Sequence, residues 1–177
     1  MQATKPFLLP RTPGARIHGL AARAAEHALG LSALQRVYEG LPAELSPLDF
    51  AERALAALGI ELEVDAEDLE RVPLSGPTLV VSNHPYGAPE GLALAALLAR
   101  RRPDVRILAN RMLSRIPELG PLLIPVDAFA GAGARERNRA PLRRALLWLR
   151  GGGLLVVFPA GAVSHLSVSR RRVSDPP

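Results

Sequence analysis

Between positions 78 and 158, short apolar runs alternate with longer segments in which apolar residues recur at helical spacing. Such runs predict buried strands, and apolar positions three and four residues apart predict helices with one buried face. The predicted strands are 78–82, 105–109, 122–126 and 154–158, and the predicted helices are 89–102 and 136–150, with helical turns over 110–119. Strands that alternate with helices favour an α/β fold with a mostly parallel sheet flanked by helices.

The first part of the chain has mainly helical patterns. Residues 16–39 and 45–58 carry apolar positions at helical spacing, and Ser46-Pro47 is typical of a helix N-terminus. Residues 60–64 alternate between apolar and acidic side chains, which predicts a half-exposed strand. These patterns predict a flexible N-terminus (1–15), an N-terminal helical segment (16–70), an α/β core (71–164) and an extended or disordered tail (165–177).

Composition excludes several classes of protein. With 177 residues and 48% hydrophobic residues, the chain has the size and apolar content of one globular domain. It has no cysteine, which excludes disulfides and thiol chemistry, and its 4% aromatic content disfavours a nucleic-acid module that stacks bases. The net charge of +5 is compatible with anionic lipid or phosphate partners. No run of ~18 uninterrupted apolar residues is present, so we expect a soluble or peripheral protein.

A histidine stands at the turn between strand 78–82 and helix 89–102. Ligands of α/β sheets bind outside the carboxyl ends of the strands, and histidine is the side chain that exchanges protons near neutral pH. His84 is therefore a candidate general base, and Glu90 is expected in the first turn of the following helix, where a carboxylate is favoured. The same residues also fit a purely structural turn, in which Asn83 and His84 satisfy backbone groups.

Three ordered blocks resemble the lysophospholipid/glycerolipid acyltransferase superfamily. They are the Asn83-His84 turn, residues 116–127 with Ile124-Pro125-Val126-Asp127, and residues 152–164 with Gly152-Gly153, Phe158-Pro159-Ala160-Gly161 and Ser164. The nearest likeness is to the bacterial branch described as hemolysin-like or as lyso-ornithine-lipid acyltransferases. The resemblance covers about residues 72–164. It implies a domain truncated at its C-terminal end, because the family's fourth motif would follow where this chain stops.

The resemblance implies roles for individual residues. His84 would be the general base, and an acid would orient its imidazolium. The usual position of that acid holds Pro89, and Glu90 follows one residue later. The substrate-binding residues implied by the resemblance are Asn83, Gly87, Arg111, Arg115, Phe158, Pro159, Gly161 and Ser164.

Two departures from the family pattern concern the acceptor side of the site. Ala128 occupies the position of an acceptor-binding arginine, so Arg111, Arg115 or Arg139 is expected to take that role. In the third block, Ala162 replaces a carboxylate that would contact the acceptor. Backbone N–H groups near Gly87 or Gly161 are candidates for stabilising the oxyanion.

The implied function is transfer of a fatty acyl group from an acyl carrier protein or coenzyme A thioester to a lyso-lipid. It implies phospholipid metabolism at the cytoplasmic, inner face of a bacterial membrane, with peripheral lipid contact and no metal or other cofactor. One alternative, suggested by Ala162 and the missing motif, is a weak or inactive fragment that binds lipid. Another is a hydrolase that uses His84 with Ser82 or Ser164, although the chain lacks a Gly-x-Ser-x-Gly elbow.

Overall fold

The computed structural model describes residues 6–7, 31–85, 87–127, 133–159, 165–167 and 172–174. The chain divides into two units, Met1–Glu44 and Leu45–Pro177. In the first unit, helix α1 (Leu31–Glu39) packs on Phe7, whose N–H donates to Oε1 of Gln35 at 3.2 Å. The rest of the predicted helix 16–39 lies outside the described residues.

The second unit contains an α/β arrangement. Its elements are α2 (Pro47–Ala57), α3 (Ala66–Glu70), β1 (Thr78–Val81), α4 (Ala88–Arg101), β2 (Val105–Asn110), β3 (Leu123–Val126), α5 (Ala134–Arg150) and β4 (Leu154–Val157). Two 3-10 turns, Arg111–Arg115 and Pro117–Leu122, join β2 to β3. A separate antiparallel pair consists of β5 (His165–Ser167) and β6 (Arg172–Ser174).

The N-terminus of α2 forms as its sequence predicts. Ser46 is the N-cap, and its Oγ accepts the N–H of Asp49 at 3.2 Å. The helix ends before Gly59, whose φ of 68° is accessible to glycine at little cost. Because α2 packs on α4, it belongs with the sheet unit, which begins at Leu45.

The strand predicted over 60–64 is wrong. These residues follow α2 as irregular backbone, and the N–H of Ile60 donates to the carbonyl of Leu55 in the last turn of that helix. The alternation of apolar and acidic side chains describes a half-exposed extended segment. A strand also requires a neighbour with which to form a ladder.

Four parallel strands form the sheet in the order β1-β4-β2-β3. This confirms the predicted α/β fold with a mostly parallel sheet. Because the strands are parallel, the turns that follow them all emerge at one edge, here called the carboxyl edge. β3 lies at the side of the sheet, which suits Pro125, since proline has no N–H for a second ladder.

The two faces of the sheet are covered differently. Ile124 and Leu155 pack with Ala145 and Leu149 of α5, so the face that carries them is the α5 face. The crossovers through α4 and α5 run in opposite directions across the sheet. Right-handed crossovers therefore place α4 and α5 on opposite faces.

β1 carries an uncovered apolar strip on the α5 face. Leu79 is in register with Leu155 and Val81 with Val157, so the β1 side chains face the same way, and they are 54% and 59% exposed. β4, the last strand of the sheet in sequence, pairs with both β1 and β2 and so has a neighbour on each side.

A buried arginine ties the amino ends of three strands together. Arg102, the C-cap of α4, is 2% exposed and forms a bidentate pair with Asp104, with Nε–Oδ1 and Nη2–Oδ2 distances of 2.8 and 2.7 Å. Its Nη1 and Nη2 groups also donate to four acceptors around the start of β1 and β4, which are the carbonyls of Pro73, Gly76 and Gly152 and the hydroxyl of Thr78. We call this group the Arg102 clamp.

The turn between α5 and β4 is packed against an indole. Trp148 Nε1 lies 3.2 Å from the carbonyl oxygens of both Asp104 and Leu154, and the Arg106 guanidinium stacks 4.5 Å above its ring. Gly153 passes so close to the indole that a Cβ there would overlap it. Glycine is therefore required at 153 for packing.

Replacing Gly153 with alanine is expected to destabilise the protein by about 1–3 kcal/mol, since the new Cβ must displace the Trp148 ring. The matched control is Gly120→Ala, where a Cβ meets nothing within 4 Å. Denaturant unfolding of the two variants measures the difference. Equal midpoints for both would show that the indole moves freely and that the close packing carries no energetic weight.

Candidate active site

The carboxyl edge gathers the turns that follow all four strands. His84 comes three residues after β1, Phe158 directly follows β4, Arg111 directly follows β2, and Asp127 directly follows β3. Because β1 and β4 are neighbours in the sheet, the first and third sequence blocks meet here. The topology thus places the candidate residues at the edge where α/β sheets bind their ligands.

The structure brings His84 and Glu90 together. Nδ1 of His84 lies 3.2 Å from Oε2 of Glu90, with side chains that are 21% and 16% exposed. Both atoms are inaccessible to solvent, and their distance is that of an ion pair, although their alignment falls short of a good hydrogen bond. Catalytic hydrogen bonds are commonly loose before substrate is present. Because Nδ1 faces the Glu90 carboxylate, the other ring nitrogen, Nε2, lies on the side of the imidazole away from Glu90.

Gly87 explains how the chain turns back to form this pair. It is the N-cap of α4 and is buried, with φ 85° and ψ −122°, a conformation strained for other residues. The helix then begins with Ala88 and Pro89, and Glu90 falls in its first turn, where the helix N-terminus interacts favourably with a carboxylate. The extra residue before the acid therefore fits the path of this turn.

Phe158 stacks on the imidazole. The ring centroids of His84 and Phe158 are 4.3 Å apart and the planes are inclined by 28°. Phe158 is held at the end of β4, which pairs directly with β1. One face of the imidazole is thus packed against a ring, and a carboxylate oxygen lies 3.2 Å from its Nδ1.

Replacing Phe158 with leucine is expected to shift the His84 ring-proton resonances downfield, because the shielding face of the phenyl ring is lost. Phe158→Tyr, which keeps the ring, is the matched control and is expected to leave these resonances close to their wild-type positions. Proton NMR of the two variants provides the measurement. Wild-type His84 resonances in Phe158→Leu would mean that the two rings do not stack in solution.

A second polar group lies at the end of β3. Asn138 of α5 binds the backbone of Asp127 twice, accepting its N–H at 2.7 Å and donating to its carbonyl at 2.8 Å. Arg137 Nε lies 2.7 Å from Oδ2 of the same residue. These contacts anchor the first turns of α5 to the carboxyl edge and place a guanidinium there.

The other predicted site residues are less closely associated with the pair. Asn83 is exposed, and its carbonyl accepts the Ser82 hydroxyl at 2.9 Å. Arg111 and Arg115 are exposed on the 3-10 turn after β2, which is separated from β1 by β4. Pro159 is exposed beside Phe158, Arg139 is exposed on α5, and Gly161 and Ser164 lie outside the described residues.

Reasoning from the sequence misses the Arg137–Asp127–Asn138 group. Asp127 belongs to the second block, but its partners lie ten and eleven residues later, in a helix whose many arginines look alike in sequence. A useful signal would have been position, since both partners stand in the first turns of the helix that precedes β4. In the described part of the chain, no three His, Cys, Asp or Glu side chains cluster as a metal site would require.

Comparison with known proteins agrees with the family resemblance seen in the sequence. A family model described as Acyltransferase matches residues 7–175. The lyso-glycine lipid O-acyltransferase of Phocaeicola vulgatus is 31% identical over 119 residues, which cover 67% of this chain and 40% of that protein. The protein of the same name from Bacteroides thetaiotaomicron is 30% identical over 119 residues, covering 67% of this chain and 41% of that protein. The chain therefore matches about two-fifths of the length of these relatives, and it belongs to the acyltransferase family.

Proposed function

We propose that this protein transfers a fatty acyl group from a thioester to a hydroxyl group of a lyso-lipid. The observation that carries the proposal is the His84–Glu90 pair, 3.2 Å apart at the carboxyl edge of the sheet in a chain of the acyltransferase family. A base held by a carboxylate is the arrangement that activates a hydroxyl nucleophile.

The geometry supports a direct transfer. Oε2 of Glu90 lies 3.2 Å from Nδ1 of His84, and a hydrogen bond formed between them in the substrate complex would leave Nε2 to accept the proton of the acceptor hydroxyl as its oxygen attacks the thioester carbonyl. The new C–O bond forms, the C–S bond breaks, and the proton on Nε2 passes to the departing thiolate. The backbone N–H groups of Gly87 and Ala88, at the start of α4, are candidates for stabilising the oxyanion.

The acceptor is proposed from the relatives and from the charges at the carboxyl edge. The two similar proteins are named lyso-glycine lipid O-acyltransferases, which supports an oxygen acceptor on a lyso-lipid. Arg111 and Arg115 lie on the 3-10 turn after β2, and Arg137 lies in the first turn of α5, at or next to this edge. A guanidinium suits a phosphate or carboxylate head group. The acceptor we propose is therefore a lyso-lipid with an acidic head group.

The acyl donor is proposed to be an acyl carrier protein or coenzyme A thioester, and the protein is placed at the inner face of the membrane. Within the described residues, no helix is long and apolar enough to cross a bilayer. A lyso-lipid acceptor resides in a membrane, and the contact proposed with it is peripheral.

The hydrolase alternative has less support. Ser82 is the serine closest in sequence to His84, and its hydroxyl donates to the carbonyl of Asn83. Nδ1 of His84 is directed to Glu90. The other serine considered, Ser164, lies outside the described residues. A lipid-binding protein without turnover is distinguished from an enzyme by the assay that follows.

The test is to incubate the protein with a long-chain acyl thioester, as either coenzyme A or acyl-carrier-protein ester, and a lyso-lipid. We expect diacylated lipid to form and free thiol to be released in equal amounts. Release of fatty acid with no need for the lyso-lipid would support the hydrolase, and lipid binding without thiol release would support the inactive fragment. Either result would overturn the proposed transfer.

A further inference from the structure

The outer surface of α5 combines basic and apolar side chains. Ala145 is the buried residue of this helix, and three leucines on other sides are exposed: Leu142 at 46%, Leu146 at 55% and Leu147 at 55%. A surface depression is lined by Arg135, Glu136, Arg139, Leu142, Arg143 and Leu146. We call these six residues the α5 outer face. It does not include His84, Glu90 or Phe158.

The charge of the helix is strongly one-sided. Residues 134–150 contain six arginines and one acidic residue, Glu136. Glu136 lies 3.7 Å from Arg139, and both side chains are about four-fifths exposed, at 78% and 80%, so their attraction is weak. Arg135 and Arg143 are exposed and carry further positive charge on the same face.

We propose that the α5 outer face binds the surface of a membrane rich in anionic lipid, with its arginines on lipid phosphates and its leucines among the acyl chains. This inference rests on the lyso-lipid acceptor proposed above, and it names the part of the protein that reaches the lipid. Guanidinium groups match phosphate oxygens in charge and geometry. A helix with basic residues and exposed leucines is typical of segments that lie in the membrane interface.

The position of α5 in the fold supports a lipid surface as the occupant. Asn138 and Arg137 anchor the start of the helix to Asp127 at the carboxyl edge, where His84 also lies. A membrane along the α5 outer face therefore borders the edge that carries the proposed active site. The exposed leucines stand one turn apart beside arginines, so they can enter the interface while the guanidinium groups stay at head-group level.

Vesicle sedimentation tests the proposal, with phosphatidylcholine vesicles compared with vesicles that also contain phosphatidylglycerol. The variant Arg135→Ser/Arg143→Ser is compared with the control Arg53→Ser/Arg71→Ser, which removes the same charge from exposed positions elsewhere. A second variant, Leu142→Ser/Leu146→Ser, is compared with Leu74→Ser, which is also exposed. Circular dichroism confirms that each protein is folded.

Wild-type protein is expected to bind the anionic vesicles preferentially. The α5 arginine variant should bind about 30-fold more weakly, since each basic residue near an anionic surface strengthens binding about fivefold. The control Arg53→Ser/Arg71→Ser should lose less affinity for the vesicles. The variant Leu142→Ser/Leu146→Ser should lose the part of the binding that survives high salt. Equal losses in arginine variant and control, or no wild-type preference for anionic vesicles, would overturn the proposal. His84→Ala is expected to bind as wild type does, so the result is independent of catalysis.

Discussion

Replacing His84 with alanine is expected to lower the proposed acyl transfer by at least about 100-fold, because the hydroxyl acceptor would lose the general base that we propose for it. The side chain is partly exposed at the carboxyl edge, and its contacts are with Glu90 and Phe158, so the fold should survive the change. The measurement is the rate of thiol release with saturating lyso-lipid, together with a thermal unfolding curve to establish that the variant is folded.

Two further variants sharpen this prediction. Glu90→Gln removes the carboxylate that faces Nδ1 and is expected to reduce the rate, by less than the loss of the base itself. Glu63→Gln, at an exposed position in the segment after α2, is the matched control and should retain the wild-type rate. A folded His84→Ala protein with the wild-type rate would show that the imidazole is structural and that the proposed mechanism is wrong.

Replacing Arg102 with methionine is expected to destabilise the protein by about 3 kcal/mol, at the low end of the effect of removing one partner of a buried ion pair, because Arg102 is 2% exposed but Asp104 is 35% exposed. Methionine keeps much of the side-chain length but leaves Asp104 and the backbone carbonyls of the clamp without their donor. Because those carbonyls belong to the loops before β1 and β4, the amino ends of the sheet lose their common attachment. Denaturant unfolding gives the size of the effect.

The matched control is Arg100→Met, which is two residues earlier. Arg100 pairs with Glu52 at 2.7 Å, but both side chains are more than a third exposed, so its loss should cost less than about 1 kcal/mol. Similar unfolding midpoints for the two variants would contradict the special role of the clamp.

The clamp also predicts that the free energy of unfolding depends on pH in the acid range. Hydrogen bonds from Arg102 hold the pKa of Asp104 below its usual value, against the opposing effect of burial. The pair therefore contributes its full stabilisation above the usual aspartate pKa, and this contribution is lost as the pH falls through the lowered value. The difference in stability between wild type and Arg102→Met should shrink on acidification. A stability difference between wild type and Arg102→Met that stays constant on acidification would contradict the stabilising role of the Arg102–Asp104 pair.

Much of the α/β fold could be predicted from the sequence because the strands are short apolar runs and the helices have a clear period. The four predicted strands from 78 onwards correspond to β1 to β4, with ends that differ by a residue or two. The strand predicted at 60–64 is wrong because alternation reports half-exposure, whereas strand formation depends on a partner that local sequence does not contain.

The Arg102 clamp and the packing of Gly153 could not be predicted in the same way. Arg102 follows two other arginines at the end of a helix, and only the folded structure distinguishes the buried one from its neighbours. Gly153 ends a run of three glycines, which suggests a turn but not contact with an indole five residues earlier. Both features depend on contacts between segments that are separate in sequence or on the path of a turn.

In the candidate site too, contacts between residues close in sequence could be predicted, whereas contacts between distant segments could not. His84 and Glu90 could be proposed together because a strand, a turn and a helix start place them close in sequence. Phe158 was predicted as a substrate-binding residue, and its contact with the imidazole depends on the pairing of β4 with β1, which crosses more than seventy residues. Arg137 is not among the predicted residues, because its place in the first turn of α5 becomes informative only once that turn is known to lie at the carboxyl edge beside Asp127.

The most direct test of the central claim is the tautomer of His84, measured by ¹⁵N NMR of the neutral imidazole. The hydrogen bond that a histidine makes determines which of its nitrogens carries the proton. Since Glu90 lies 3.2 Å from Nδ1, we expect the proton on Nδ1 and a bare Nε2, ready to accept the proton of the acceptor, and we expect this preference to be lost in Glu90→Ala. A wild-type His84 that carries its proton on Nε2, unchanged in Glu90→Ala, would contradict the account.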